Sequence, residues 1–147
     1  MTDVVIIGGG PAGSCAAIRC ARLGLSVTLL ERERFPRDRP GESLHPGFET
    51  LLEQLGVLDA ILARDFLRFD GNWVEFKGED TFDKFKATAT GTTRGLQAWR
   101  REFDAILLEQ ARELGVQIVQ PGRALRPMVT GSRVAGVETK EGKLNSA

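Results

Sequence analysis

Asp3-Val4-Val5-Ile6-Ile7 runs directly into Gly8-Gly9-Gly10-Pro11-Ala12-Gly13, and an alanine-rich stretch from Ser14 to Leu23 follows. The apolar run is short and rich in β-branched residues, as in a strand covered on both faces. Ser14 to Leu23 reads as a helix, and Gly24 supplies its stop. Ser26-Val27-Thr28-Leu29-Leu30 is a second buried strand that ends at Glu31. The N-terminal segment is therefore strand, glycine turn, helix, strand.

That order gives the Gly8-x-Gly10-x-x-Gly13 spacing its meaning. A strand precedes it, a helix follows, and an acid closes the next strand 18 residues beyond Gly13. These are the parts of a dinucleotide-binding βαβ unit. Gly8 permits the tight turn, Gly10 admits a pyrophosphate where a Cβ would stand, and Gly13 lets helix and strand pack closely. The helix N-terminus offers free N–H groups to phosphate. Glu31 can accept from both ribose hydroxyls. FAD and NAD share this pattern, and the sequence beyond Glu31 separates them. A proline-broken loop, two helices and aromatic strands interrupt the sheet, and the next parallel strand comes only near Val116. Such an insertion points to a flavoprotein with FAD as cofactor.

The expected organisation is α/β, a Rossmann-like FAD-binding parallel sheet with a helical and antiparallel-strand insertion. The βαβ unit spans 3–31, a loop and helices 32–63, antiparallel strands 66–99, and a helix and strands 100–139. Residues 32–46 contain Pro36, Pro40 and Pro46 and are expected to hold no regular structure. Gly47 to Leu55 and Val57 to Ala63 read as short helices split by Gly56. Leu51, Leu52, Leu55, Leu58, Ile61 and Leu62 form their expected inner face. Phe66, Phe69, Trp73, Phe76, Phe82 and Phe85 read as the core of two or three antiparallel strands, with Gly71 and Gly78 as turn points. Ala87 to Thr93 reads as an exposed connector and Leu96 to Trp99 as a short strand. Arg101 to Leu114 is an amphipathic helix with Phe103, Ile106, Leu107, Ala111 and Leu114 inward. Val116 to Val119 is a strand, Val129 to Thr139 a hairpin turning near Gly131, and Glu141 to Ala147 a polar tail without an element.

The 147 residues carry 20 basic and 20 acidic side chains, so no nucleic-acid partner is expected. No apolar run approaches the ~20 residues a bilayer needs, and no secretory segment precedes the first strand. A cytoplasmic location is expected. Cys15 and Cys20, the only cysteines, stand i and i+5 on one helix. Their Cα atoms would be roughly 8–9 Å apart, beyond the ~7 Å reach of a disulfide. Two buried free thiols are expected, and no metal site, since His45 is the only histidine. His45 is either an acid–base group or a structural residue. Arg32, Arg34, Arg37 and Arg39 either capture cofactor phosphates or line a solvated loop. Arg100 heads a helix, where a cation opposes the dipole. A ligand phosphate or a nearby acid would account for it.

Four stretches carry a family resemblance: DVVIIGGGPAGSCAA, Glu31 with its following Arg and Phe-Pro, RPGESLHPGFETLLEQLGV, and WRREFDAILLEQARELGVQIV. Together they resemble FAD-dependent monooxygenases of the para-hydroxybenzoate-hydroxylase-like class. Within it they are most similar to flavin-dependent halogenases and geranylgeranyl-reductase-like proteins. The resemblance places Gly8, Gly10, Pro11, Ala12, Gly13 and Ser14 along the FAD pyrophosphate, and Glu31, with Arg32 beside it, at the adenosine ribose. It places Gly41 and Ser43 on the flavin side, Arg100 on FAD, and the Ala124 backbone near adenine. It implies a flavin oxidoreductase, with monooxygenation of a small organic substrate by reduced FAD and oxygen as the leading expectation. The electron source would be NAD(P)H or a separate flavin reductase acting as partner. A halogenase-like or geranylgeranyl-reductase-like enzyme is the alternative, and a non-catalytic flavin-binding fragment a further one. No catalytic residue is assigned. Phe66 to Trp73 lacks the lysine that halogenases carry in this segment, which counts against halogenation. The family's Asp-Gly strand and substrate sheet do not follow Thr139, so the chain is expected to be an N-terminal portion, with Val4 to Ile7 open along one edge.

Overall fold

A computed structural model describes residues 2–87, 91 and 94–146. In chain order the elements are β1 (Val4–Ile7), α1 (Pro11–Arg22), β2 (Val27–Leu30), β3 (Glu42–Leu44), α2 (Phe48–Gln54), α3 (Leu58–Leu62), β4 (Leu67–Phe69), β5 (Gly71–Phe76), β6 (Glu79–Lys84), β7 (Gly95–Ala98), α4 (Arg100–Glu113), β8 (Gln117–Val119), β9 (Ala124–Thr130), β10 (Arg133–Thr139) and β11 (Lys143–Asn145). They divide into two compact units, one of residues 1–37 with 103–147 and the other of residues 38–102.

In the first unit a parallel sheet runs in the order β1-β2-β8. Val4 pairs with Val27 and Ile7 with Leu30, while Leu30 pairs with Val119. All four residues of β2 are buried, as a central strand requires. β1 was expected to be equally buried, but it is half-buried and Ile7 is 64% exposed. It is an edge strand, with β2 as its one ladder partner among the described residues. The core gathers Ala17 and Ile18 of α1, Leu29 and Leu30 of β2, and Phe103, Leu107, Leu108 and Ala111 of α4. Cys15 and Cys20 are free and half-buried rather than fully buried, and burial pushes the Cys15 thiol up. An antiparallel sheet, β11-β10-β9, completes this unit. The supposed polar tail thus contains β11, whose Leu144 pairs with Val137. Three residues show no period, and only the partner strand makes them a strand.

In the second unit β3-β7-β4 form one antiparallel sheet and β5-β6 a hairpin. The proline-rich loop therefore does hold a strand. Glu42 pairs with Ala98 and Leu44 with Leu96, a pairing invisible in local sequence. Leu52, Leu55 and Ile61 face inward as expected, but Leu51 and Leu62 are exposed. The aromatic stretch departs further from expectation. Phe66 is buried, yet Trp73 is 74% and Phe76 71% exposed, and Phe82 is exposed too. The β5-β6 ribbon is exposed along nearly its whole length, so its aromatics meet each other across the strands, Trp73 against Phe82, instead of a second layer. Gly71 lies in β5, close against the Asp83 carbonyl of its partner, and the turn falls at Lys77-Gly78. The connector expected at Ala87 to Thr93 lies largely outside the described residues. Among the described residues, no helix is long and apolar enough to cross a membrane.

Candidate functional site

The site is built at the carboxyl ends of the parallel strands, where open α/β sheets take their ligands. Three backbone bonds tie those ends together: Gly8 N–H to Leu30 O at 2.8 Å, Glu31 N–H to Val119 O at 3.0 Å, and Gly122 N–H to Glu31 O at 2.7 Å. Ala124 follows at the start of β9. Gly8 has φ of 101°, a left-handed turn that glycine adopts without strain. Gly10 caps α1 at φ −74° and ψ −175°, with Pro11 next. A Cβ on Gly13 would run into the Gly8 carbonyl oxygen and lie 3.4 Å from Ile6, so α1 packs on the turn through bare backbone.

The first intrahelical bond of α1 is Ser14 N–H to Gly10 O, at 2.9 Å. The N–H groups of Ala12 and Gly13 precede it and have no carbonyl one turn back within the helix. The first turn of α1 carries no acid and the last carries Arg19 and Arg22, so the dipole's positive end is left for an anion. Ser14 is buried and donates its hydroxyl to Gly9 O at 3.1 Å, bracing the turn rather than facing a ligand.

Glu31 is 2% exposed. Its Oε2 accepts from Gly9 N–H at 2.7 Å and its Oε1 from Glu33 N–H at 2.9 Å. Arg37 Nη1 lies 3.1 Å from the same Oε1. A carboxylate has about four acceptor sites, and at least three donors are already engaged here. The geometry leaves room for about one ribose hydroxyl at the carboxylate as it stands, where two were expected. Sequence reading assigned Arg37 no individual role. Asp104, which takes a hydrogen bond from Arg37 Nη2 at 3.4 Å, was missed because an acid on the inner face of an amphipathic helix reads as a pattern fault. Arg32 is exposed and pairs with its neighbour Glu33 at 3.4 Å.

Gly41, Ser43 and Arg100 belong to the second unit. Ser43 is exposed on β3 and donates to Gln97 Oε1 at 3.0 Å. A Cβ on Gly41 would lie 3.4 Å from the Ala98 carbonyl oxygen. Arg100 begins α4 and its Nη1 lies 3.1 Å from Glu42 Oε2, which supplies the acid its position at a helix head calls for. His45 Nδ1 lies 3.0 Å from the Pro46 carbonyl, and its ring stands edge-on to Phe85 at 4.7 Å.

The residues present therefore fit FAD on the adenosine and pyrophosphate side. They offer a left-handed turn that suits glycine, bare backbone at Gly13, helix N–H groups with no carbonyl one turn back, and a buried carboxylate beside them.

The chain belongs to the FAD dependent oxidoreductase family, whose pattern it matches over residues 3–147. It is 39% identical over 119 residues to a tryptophan 2-halogenase of Chondromyces crocatus, an alignment covering 81% of this chain and 22% of that enzyme. The myxobacterial chondrochloren halogenase CndH superposes with a TM-score of 0.87 at 30% identity, over 99% of this chain and 35% of that one. The flavin-dependent brominase Bmp2 superposes with a TM-score of 0.84 at 32% identity, over 99% of this chain and 36% of that one. The chain thus spans about a quarter to a third of the length of these relatives. Its fold is the FAD-binding, halogenase-like oxidoreductase fold, interrupted as the sequence implied. These likenesses favour the halogenase-like alternative over the monooxygenase that led the sequence reading.

Proposed function

We propose that this chain is the FAD-binding portion of a flavin-dependent halogenase-like oxidoreductase that acts on a small organic substrate. The observation that carries the cofactor half is the Glu31 carboxylate bonded to Gly9 N–H at the mouth of the glycine turn. Support for the halogenase half comes from relatives named as halogenases over most of this chain. When bound, FAD supplies the redox chemistry, with electrons from NAD(P)H or a separate flavin reductase. The chain's own work is to bind and orient. Gly8, Gly10 and Gly13 shape the pyrophosphate seat with Pro11, and the Ala12 and Gly13 N–H groups with the dipole of α1 neutralise its charge. Glu31 fixes the ribose, with Ala124 beside it near adenine. Gly41, Ser43 and Arg100 serve the flavin side.

The test supplies a protein containing this chain with reduced FAD, oxygen, bromide or chloride, and an electron-rich aromatic such as tryptophan. A halogenated product, absent without halide, is expected. A hydroxylated product that ignores halide would replace halogenation with monooxygenation. That second reading is kept by one observation: Phe66 to Trp73 contains no lysine.

A further inference from the structure

We infer that Arg37 is a positioning residue for cofactor binding, clamping the Glu31 carboxylate against α4 through Asp104. The inference rests on the FAD reading above and assigns a role to a residue outside the glycine turn. Arg37 comes from a loop whose arginines read as phosphate ligands or solvated charges, and the structure gives it neither place. Its side chain is 11% exposed, against 68% for Arg32. Its two terminal nitrogens divide between two acids, Nη1 at 3.1 Å from Glu31 Oε1 and Nη2 at 3.4 Å from Asp104 Oδ2. Its guanidinium lies 4.6 Å over the Phe35 ring, which fixes its plane. Both acids are buried. Two carboxylates out of water repel each other and lose hydration, and a shared cation offsets both costs.

The arrangement has a direction. Gly9 and Glu33 N–H groups hold the Glu31 carboxylate from the main chain, and Arg37 holds it from the side. Arg37 Nε is buried with no hydrogen-bond partner. The guanidinium therefore sits where the two acids need it, at the cost of one of its own donors. Arg37 acts on the cofactor through Glu31, not by touching the turn. A lysine, a point charge without the planar fork, would not span both acids.

The chain's affinities for ADP and for 2′,3′-dideoxy-ADP isolate the ribose contact, because their ratio cancels any general loss of stability. The unaltered chain is expected to prefer ADP by roughly tenfold or more. Arg37→Met is expected to bring the ratio close to one, with near-ultraviolet circular dichroism native. In Glu31→Gln the ratio is equally flat, and adding Arg37→Met changes it no further. Arg37→Lys should recover only part of the preference, and it decides the matter if the methionine variant does not fold. Full preference in a folded Arg37→Met or Arg37→Lys chain would overturn the positioning role alone. No preference in the unaltered chain would overturn the ribose role of Glu31, and this inference with it.

Discussion

At Gly10 the backbone sits at φ −74° and ψ −175°, which any residue adopts, whereas Gly13 is packed against the Gly8 carbonyl. The two glycines therefore separate cofactor from fold. Gly10→Val is expected to abolish FAD binding with circular dichroism native, because valine adopts this backbone and its side chain would stand where the pyrophosphate is proposed to lie. If flavin still co-purifies, the turn is structural and the cofactor assignment fails. Gly13→Ala forces the turn or helix to move, and should lower stability by about 1–3 kcal/mol in a denaturant titration. Glu31→Gln should weaken FAD by about 1.5–3 kcal/mol, the range for a hydrogen bond to a charged group. A flavin fluorescence titration reads it directly. The turn and its acid were legible in the sequence because each residue type answers one local need. The Arg37 bridge from Glu31 to Asp104 was not, since Arg37 and Asp104 stand 67 residues apart in the chain.

Elements with their own period were read correctly in kind, although α1 begins at Pro11 rather than at Ser14, and elements made by a distant partner were not. α1 and α4 declare themselves by apolar spacing and end at glycines. β3 and β11 have three residues each and exist because β7 and β10 pair with them. The aromatic hairpin shows the converse error. Its strands were legible, but alternation cannot say whether a second layer covers them. Its turn is held by Lys77 at φ 54° and Gly78 at φ 82°, the left-handed pair suited to a two-residue hairpin. Gly78→Val should fray the ribbon and cost about 1–2 kcal/mol, seen as faster amide exchange across Phe76 and Glu79.

For the first unit, the open edge of β1 faces a groove of about 590 Å³ lined by Val4, Val5, Leu125, Pro127 and Val134. An unpaired strand beside apolar surface is a template for another chain. The purified 147-residue chain is expected to self-associate as its concentration rises, and Ile7→Lys to suppress this in light scattering. A monomer at all concentrations would show the edge to be protected. The sequence foretold an open edge, but not the groove, which needs β9 and β10 folded beside β1.

The first unit is also interrupted: its third parallel strand lies beyond the whole second unit, with Leu30 paired to Val119. During synthesis β1, α1 and β2 leave the ribosome and wait for β8. At about 5–20 residues per second that wait is on the order of 4–18 seconds. Halving the intervening segment would lower the closure entropy by only about 0.6 kcal/mol. The insertion therefore weighs little on the finished protein, and its burden falls on the nascent one, whose apolar β2 stands half-paired until the last quarter of the chain arrives.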